Sequence, residues 1–236
     1  MKILGLIPAR GGSKGVPRKN IKLLGGKPLL WYTVSAAKGA RGLDRIVLST
    51  DDLEIAEVGK RCGVDVPFIR PAELGKDDTP TLPVIQHALN WLEKRGAVYE
   101  AVCLLQPTSP FRGSRVIEKC LETFVETNAD TLITLQPIPE KFHPAFVYFK
   151  SSEGWLHSCL GNDLAVVRRQ DVKPAYVREG SVYIIRRETL MESSSLYGQR
   201  IVGYDMAVEQ TVNVDTLEDW HYAERLWREK QRADTP

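Results

Sequence analysis

Short apolar runs alternate with amphipathic stripes along the first half of the chain. Residues 2–7 (KILGLI) form an apolar run cut off by Pro8 and a glycine-rich segment, the pattern of a buried strand entering a loop. Pro28 then opens a helical stretch over residues 29–37, a position where proline is tolerated because the first turn needs no donor. Residues 45–50 (RIVLST) read as a second strand, and the acidic pair Asp51-Asp52 suits the positive end of a following helix. A third, shorter strand is expected over residues 66–70. Val84, Ile85, Ala88, Leu89 and Leu92 place an apolar stripe on a helix over residues 82–94. Residues 101–105 form a buried strand, 116–125 an amphipathic helix and 131–135 another strand.

This rhythm predicts an α/β fold, a mainly parallel sheet with helices on both faces. Ligands in such sheets bind beyond the carboxyl ends of the strands, so the loops after Ile7, Thr50, Leu105 and Leu135 are the ones to watch. The pattern changes after residue 136. Pro137, Pro139 and Pro144 exclude a helix, residues 145–150 alternate as an exposed strand would, and a turn is expected at 151–154. Residues 181–186 and, more weakly, 201–206 read as strands, and residues 217–227 as a closing helix with a solvated tail. The chain is read as one domain, 1–236, with residues 137–176 as an excursion that covers the site or pairs with another subunit.

Composition narrows the function classes. Of 236 residues, 43% are apolar and 26% charged, which fits a globular protein and argues against disorder or a membrane span. A net charge of +2 gives no support to a nucleic-acid partner, so basic groups are expected to act locally in a cleft. The four cysteines (Cys62, Cys103, Cys120, Cys159) have no metal-ligand spacing and suit a reducing compartment. The N-terminal apolar run is too short for a signal peptide, and a cytoplasmic location is expected. With no G-x-S-x-G, and no partner pattern around His87, His143, His157 and His221, nucleophilic hydrolysis is disfavoured.

The strongest local feature is Pro8-Ala9-Arg10-Gly11-Gly12-Ser13-Lys14-Gly15-Val16-Pro17-Arg18-Lys19-Asn20. Glycines let backbone N–H groups approach an anion, and Arg10, Lys14 and Lys19 add fixed positive charge. The spacing is neither that of a Walker A loop nor of a dinucleotide fingerprint. As a pattern alone it is either a polyphosphate cradle or a basic surface turn. Further strings stand at DRIVLSTD (44–51), RPAEL (70–74), LLQPTSPFR (104–112) and VDTLED (214–219).

With these strings in this order and spacing, the chain resembles the acylneuraminate cytidylyltransferases, which make CMP-activated sialic and related nonulosonic acids. The resemblance covers essentially the whole chain. It implies a Rossmann-like nucleotidyltransferase fold with a small dimerisation excursion, and transfer of CMP from CTP to the anomeric hydroxyl of a 2-keto-3-deoxy sugar acid with release of pyrophosphate. It also implies use of Mg2+ and a homodimer. Arg10, Gly11, Gly12, Ser13 and Lys14 would hold the outer phosphates. Lys19 would reach the α-phosphate, Asn20 the base, and Arg70 lies near the nucleotide. Arg10, Lys19 and Asp215 would carry catalysis, and Gln106, Lys141 and Arg169 would meet the sugar, Arg169 through its carboxylate.

Several positions depart from the family pattern. Kdo-activating relatives carry a metal-binding aspartate where this chain has Thr108. The usual Asp-x-Asp reads here as Asn213-Val214-Asp215, so the expected metal ligands are Asp215 and the uncharged Asn213. Asp215 also begins Asp-Thr-Leu-Glu, which reads as a helix capping box. The family's asparagine before Gly180 is Glu179, an acid that needs a hydroxyl, an amine or Arg178 as partner. Two alternatives stay open on sequence: a GTP-using sugar-acid transferase, and a catalytically silent nucleotide-binding regulator on the same fold.

Overall fold

The computed structural model describes residues 1–161, 172–206 and 212–233. It begins with β1 (Ile3–Pro8), β2 (Leu23–Leu24), β3 (Lys27–Pro28), α1 (Leu29–Gly39), β4 (Arg45–Ser49) and α2 (Leu53–Cys62). Then come α3 (Thr81–Glu93), β5 (Ala101–Leu105), α4 (Ser114–Glu126) and β6 (Thr131–Pro137). After the proline-rich segment follow β7 (Tyr148–Lys150), β8 (Leu156–Ser158), β9 (Tyr176–Arg186), α5 (Arg187–Met191), β10 (Ile201–Asp205) and α6 (Leu217–Ala233).

Six strands form the main sheet in the order β10-β6-β9-β5-β1-β4. The pairs β1–β4, β1–β5 and β6–β10 are parallel, whereas β9 runs antiparallel to both neighbours. The expected mainly parallel α/β architecture is therefore present, with β9 as its exception. From β1 the chain passes through α1 to β4 on one side, and from β5 through α4 toward β6 on the other. The crevice between the carboxyl ends of β1 and β5 is thus a topological switch point.

Both faces of the sheet are apolar because both are covered. Ile3, Ile7, Ala101, Cys103 and Leu105 face α1 and α4, packing with Leu30, Val34, Ile117 and Phe124. The alternate residues Leu4, Leu6, Val102 and Leu104 face α3, packing with Ile85, Leu89 and Leu92. Period-two alternation within continuous apolar runs is what a sheet sandwiched by helices requires. Burial pushes the Cys103 thiol up to about 12 and raises that of Cys120 as well, so both are inert packing groups. His87 is also a packed residue, its ring edge-on to Phe68 at 4.9 Å between centroids.

Three expectations are corrected. No strand forms over residues 66–70: only Asp65 bridges to Val47, and Pro67 lacks the N–H needed to continue the ladder. The loop after β6 leads into the excursion, and none of its residues is in the lining at the crevice. The capping box begins one residue later than read. Thr216 Oγ1 accepts from Asp219 N at 3.2 Å, while the Asp219 carboxylate accepts from Thr216 N at 2.8 Å. Asp215 is thereby released from capping.

A third cluster pins the C-terminal segment to the N-terminal loop: Val16, Leu24 and Leu29 pack with Val214, Trp220, Ala223 and Leu226. The turn between β2 and β3 presses on Trp227 of α6. A Cβ on Gly25, where φ is +56°, would fall 2.1 Å from the indole ring, whereas one on Gly26 meets nothing within 4 Å. Gly25→Ala should lower unfolding stability by about 1–3 kcal/mol in urea titrations, and by clearly more than Gly26→Ala. Equal losses would show that only backbone strain, and not the Trp227 contact, requires the glycine.

Candidate active site

At the switch point lies a cleft of about 300 Å³. Its walls come from the loop after β1 (Arg10, Ser13, Lys14, Lys19, Asn20), the segment from α2 into α3 (Arg70 to Thr81), the loop after β5 (Gln106, Pro107, Thr108) and Asp215. Five cations line it (Arg10, Lys14, Lys19, Arg70, Lys76) against two carboxylates (Asp77, Asp215). A basic cleft in a nearly neutral protein focuses field on an anionic ligand.

The loop after β1 is braced internally. Asn20, 5% exposed, donates from its side-chain amide to the Arg10 carbonyl at 3.0 Å. Gly11 N–H donates to Asp51 Oδ1 at 3.3 Å, so that amide helps to fix the loop. Gly12 lies in an adjoining groove with Lys14 and Asp77. Arg18 takes a left-handed backbone (φ 55°) and its guanidinium bonds Asp52 at 2.5 Å and also Glu54. That guanidinium holds the Asp52 carboxyl below its ordinary range. Gly15 is demanded by proximity, because a Cβ there would lie 2.0 Å from the Asp215 carbonyl oxygen.

Arg70 is fixed just as firmly. Its N–H donates to the Thr50 carbonyl at 2.7 Å and its guanidinium to Asp51 Oδ1 at 3.0 Å, with only 4% of the residue exposed. Burial pulls its pKa down, aided by the charge of Arg10 and opposed by Asp51. Its Nε has no partner in the protein. A buried, pre-aimed guanidinium with a spare donor suits an anionic ligand.

Asp215 stands opposite. Lys19 Nζ donates to Asp215 Oδ1 at 2.9 Å and to the Val214 carbonyl at 2.5 Å, and Val214 N–H donates to the Thr108 carbonyl at 2.8 Å. Asn213 turns its amide N–H, and not its carbonyl, toward Asp215 Oδ2 at 2.7 Å. Among the described residues no group of three or more His, Cys, Asp or Glu is poised to hold a metal. The donors present fit a hard cation bound through one carboxylate and completed by phosphate and water oxygens, the usual habit of Mg2+, rather than a protein cage.

The residues expected to meet a sugar are only partly brought together. Gln106 lines the cleft, and its carbonyl accepts from the buried Arg112 guanidinium at 3.3 Å. Thr108 Oγ1 and Ser109 Oγ are buried without partners in the protein. Lys141 lies on the excursion outside the cleft, its Nζ 4.7 Å from the Phe142 ring centroid. His143 serves its own proline turn by accepting from Ala145 N–H at 3.1 Å. Arg169 lies outside the described residues. Glu179 finds the hydroxyl it needed, accepting from Ser181 Oγ at 2.5 Å and Ser181 N–H at 2.9 Å, while Arg178 bonds Tyr197 instead. This turn sits where the β6–β9 register shifts, with Gly180 at φ +92°.

Asp77 escaped the sequence reading altogether, and Asp51, Thr108 and Arg112 stood in the quoted strings without their contacts at the site. Their contacts span loops far apart in the chain, so no local spacing marks them. The arginine at the end of LLQPTSPFR was visible as part of a string, but its burial was not.

Known proteins resemble this chain over nearly its whole length. The chain is 33% identical over 235 residues to CMP-N,N'-diacetyllegionaminic acid synthase of Legionella pneumophila, covering 99% of each chain. It is 29% identical to the pseudaminic acid cytidylyltransferase of Campylobacter jejuni, covering 97% of each. The fold matches that of a CMP:2-keto-3-deoxy-manno-octonic acid synthetase solved with CTP, at 18% identity and a TM-score of 0.73, over 98% of this chain and all of that one. The family profile described as Cytidylyltransferase spans residues 4–234. By that match and by its legionaminic relative, this chain belongs to the cytidylyltransferase family.

Proposed function

We propose that this protein transfers CMP from CTP to the anomeric hydroxyl of a nonulosonic, 2-keto-3-deoxy sugar acid. The observation that carries the reading is the convergence of Arg10, Lys14, Lys19, Arg70 and Asp215 on one cleft at the sheet's switch point. The named activities of the two relatives point to the sugar class. In the reaction the anomeric oxygen bonds to the α-phosphorus as the bond to the bridging oxygen breaks, so pyrophosphate leaves and the hydroxyl proton is lost. Charge grows on phosphate oxygens during this exchange, and the protein's task is to position and neutralise it.

Arg10, Ser13 and Lys14 would hold the β- and γ-phosphates, with Gly11 and Gly12 keeping the loop close to them. Lys19 would reach the α-phosphate from its seat on Asp215, and Arg70 would lie against the nucleotide with Asn20. Asp215 would hold Mg2+ with the triphosphate. The cation, when bound, would supply charge neutralisation at the phosphates and ease loss of the hydroxyl proton. Gln106 would meet the sugar and Arg169 would take its carboxylate. Screening legionaminic, pseudaminic, N-acetylneuraminic and Kdo-type acids against the four nucleoside triphosphates should show pyrophosphate release with CTP. Preference for GTP would overturn the cytidylyl assignment, and CTP binding with no turnover on any acid would favour a silent regulator.

Lys19 should matter to the transition state more than to binding. Lys19→Met is expected to lower kcat about 10²–10³-fold with KM for CTP changed much less. A KM effect with unchanged kcat would make Lys19 a ground-state contact only.

The excursion supports a homodimer. β7 and β8 form a two-stranded sheet of their own, and such hairpins are marginally stable alone in water. Phe149 is 64% and Trp155 71% exposed there. A second copy of the chain would cover this apolar surface. Light scattering should give a mass near twice 26.5 kDa, and Trp155→Asp should shift it toward the monomer; a monomeric wild type would remove the assignment. No helix among the described residues is long and apolar enough to cross a membrane. A cytoplasmic site of action fits the free thiols.

A further inference from the structure

Two cations of the cradle, Arg10 and Lys14, already hold an anion, and it belongs to the protein. Asp77 Oδ2 pairs with Lys14 Nζ at 2.6 Å, and Asp77 Oδ1 pairs with the Arg10 guanidinium. Both oxygens of one carboxylate are therefore directed at the two groups expected to meet the outer phosphates. Hydrogen bonding from Lys14, with the charges of Arg10 and Lys14, holds the Asp77 carboxyl below its ordinary range, so it is an anion at neutral pH.

The segment that carries Asp77 is braced. Its 3-10 turn, Ala72–Gly75, follows Pro71, and Thr79 Oγ1 donates to the Glu73 carbonyl at 3.0 Å. Gly75 packs so closely that a Cβ would lie 2.4 Å from Asp51 Oδ2, and Asp51 also holds Gly11 and Arg70. The turn is thus built onto the same carboxylate that fixes the cradle. Asp78, the next residue, makes neither contact with Arg10 nor with Lys14.

We propose that Asp77 is a stand-in anion that competes with the outer phosphates for Arg10 and Lys14 and reclaims both cations as pyrophosphate leaves. The proposal rests on the reading of the cleft as a triphosphate site. In the free protein Asp77 keeps two mutually repelling side chains pointed into the cleft. When a polyphosphate enters, its oxygens replace the carboxylate, and the repulsion between Asp77 and the bound anion lowers the net affinity. After transfer, the same competition favours departure of pyrophosphate. A ligand that ends at the α-phosphate does not use Arg10 or Lys14 and is indifferent to Asp77. Asp77 is in this sense a positioning and specificity residue, setting how tightly phosphates beyond the first are held.

Calorimetry with pyrophosphate, CTP and CMP, in EDTA to remove divalent metal, tests this on wild type, Asp77→Asn and Asp78→Asn. Asp77→Asn is expected to bind pyrophosphate and CTP about three- to tenfold more tightly, with CMP within twofold, and to suffer stronger product inhibition by pyrophosphate. Asp78→Asn removes the same charge without those contacts and should change each affinity less. Unchanged or weaker pyrophosphate binding by Asp77→Asn would overturn the proposal, making Asp77 a support of the cradle. Equal gains in both variants would also overturn it, as an effect of net charge alone. Wild type that binds none of the three, either in EDTA or with Mg2+ restored, would remove the triphosphate reading itself, and the proposal with it.

Discussion

Lys19 reaches across 195 residues of sequence to the Val214 carbonyl and the Asp215 carboxylate, and Val214 N–H in turn holds the Thr108 carbonyl. An ammonium only partly exposed to water needs a close anion, and a backbone amide at the floor of a cleft needs an acceptor. These needs are met by joining three loops that the chain visits at its start, middle and end. The third apolar cluster makes the join possible, since Val16, Val214 and Trp220 pack beneath it. Without that packing, the ordering entropy of three loops would oppose so small a set of polar contacts.

The same logic runs through the opposite wall. Asp51 accepts from Gly11 N–H and from Arg70, and it limits the space at Gly75. One carboxylate just past β4 therefore orders the loop after β1, a buried guanidinium and the segment that carries Asp77. Arg70 is kept charged in a buried place by Asp51, and its unpartnered Nε leaves capacity for a ligand. The cleft is thus held on both walls, while Arg10 and Lys14 are paired with a carboxylate from a neighbouring turn.

Departures from the family pattern acquire physical content in the folded chain. Glu179 would be a costly acid in an anion pocket, yet Ser181 gives it two hydrogen bonds in a tight turn at the β9 bulge. Arg112, held near 10 by burial, stands close enough for Glu179 to raise its pKa and bonds the Gln106 and Ser181 carbonyls. The two unusual charges therefore belong to the frame behind Gln106 and Ser181. Asn213 contributes an N–H to Asp215, so the charge of that carboxylate is moderated by a neutral donor as well as by Lys19.

Residue pattern alone determined the alternation of strands and helices, the apolar faces they share and the strings that carry the family resemblance. Apolar periodicity is imposed by burial on both faces, and burial acts on every residue of an element. Pro67 already withheld a donor that a strand over 66–70 would need, but the apolar run there hid it. Which neighbours the loops acquire was decided only by tertiary structure. The helix cap moved from Asp215 to Thr216 because Asp219, and not Glu218, meets the free N–H groups, and that shift left Asp215 to Lys19. Asp77 came to face Arg10 and Lys14, and Lys141 came to lie outside the cleft, for a like reason. Contacts between loops depend on where strands end in space, and spacing along the chain does not encode that distance.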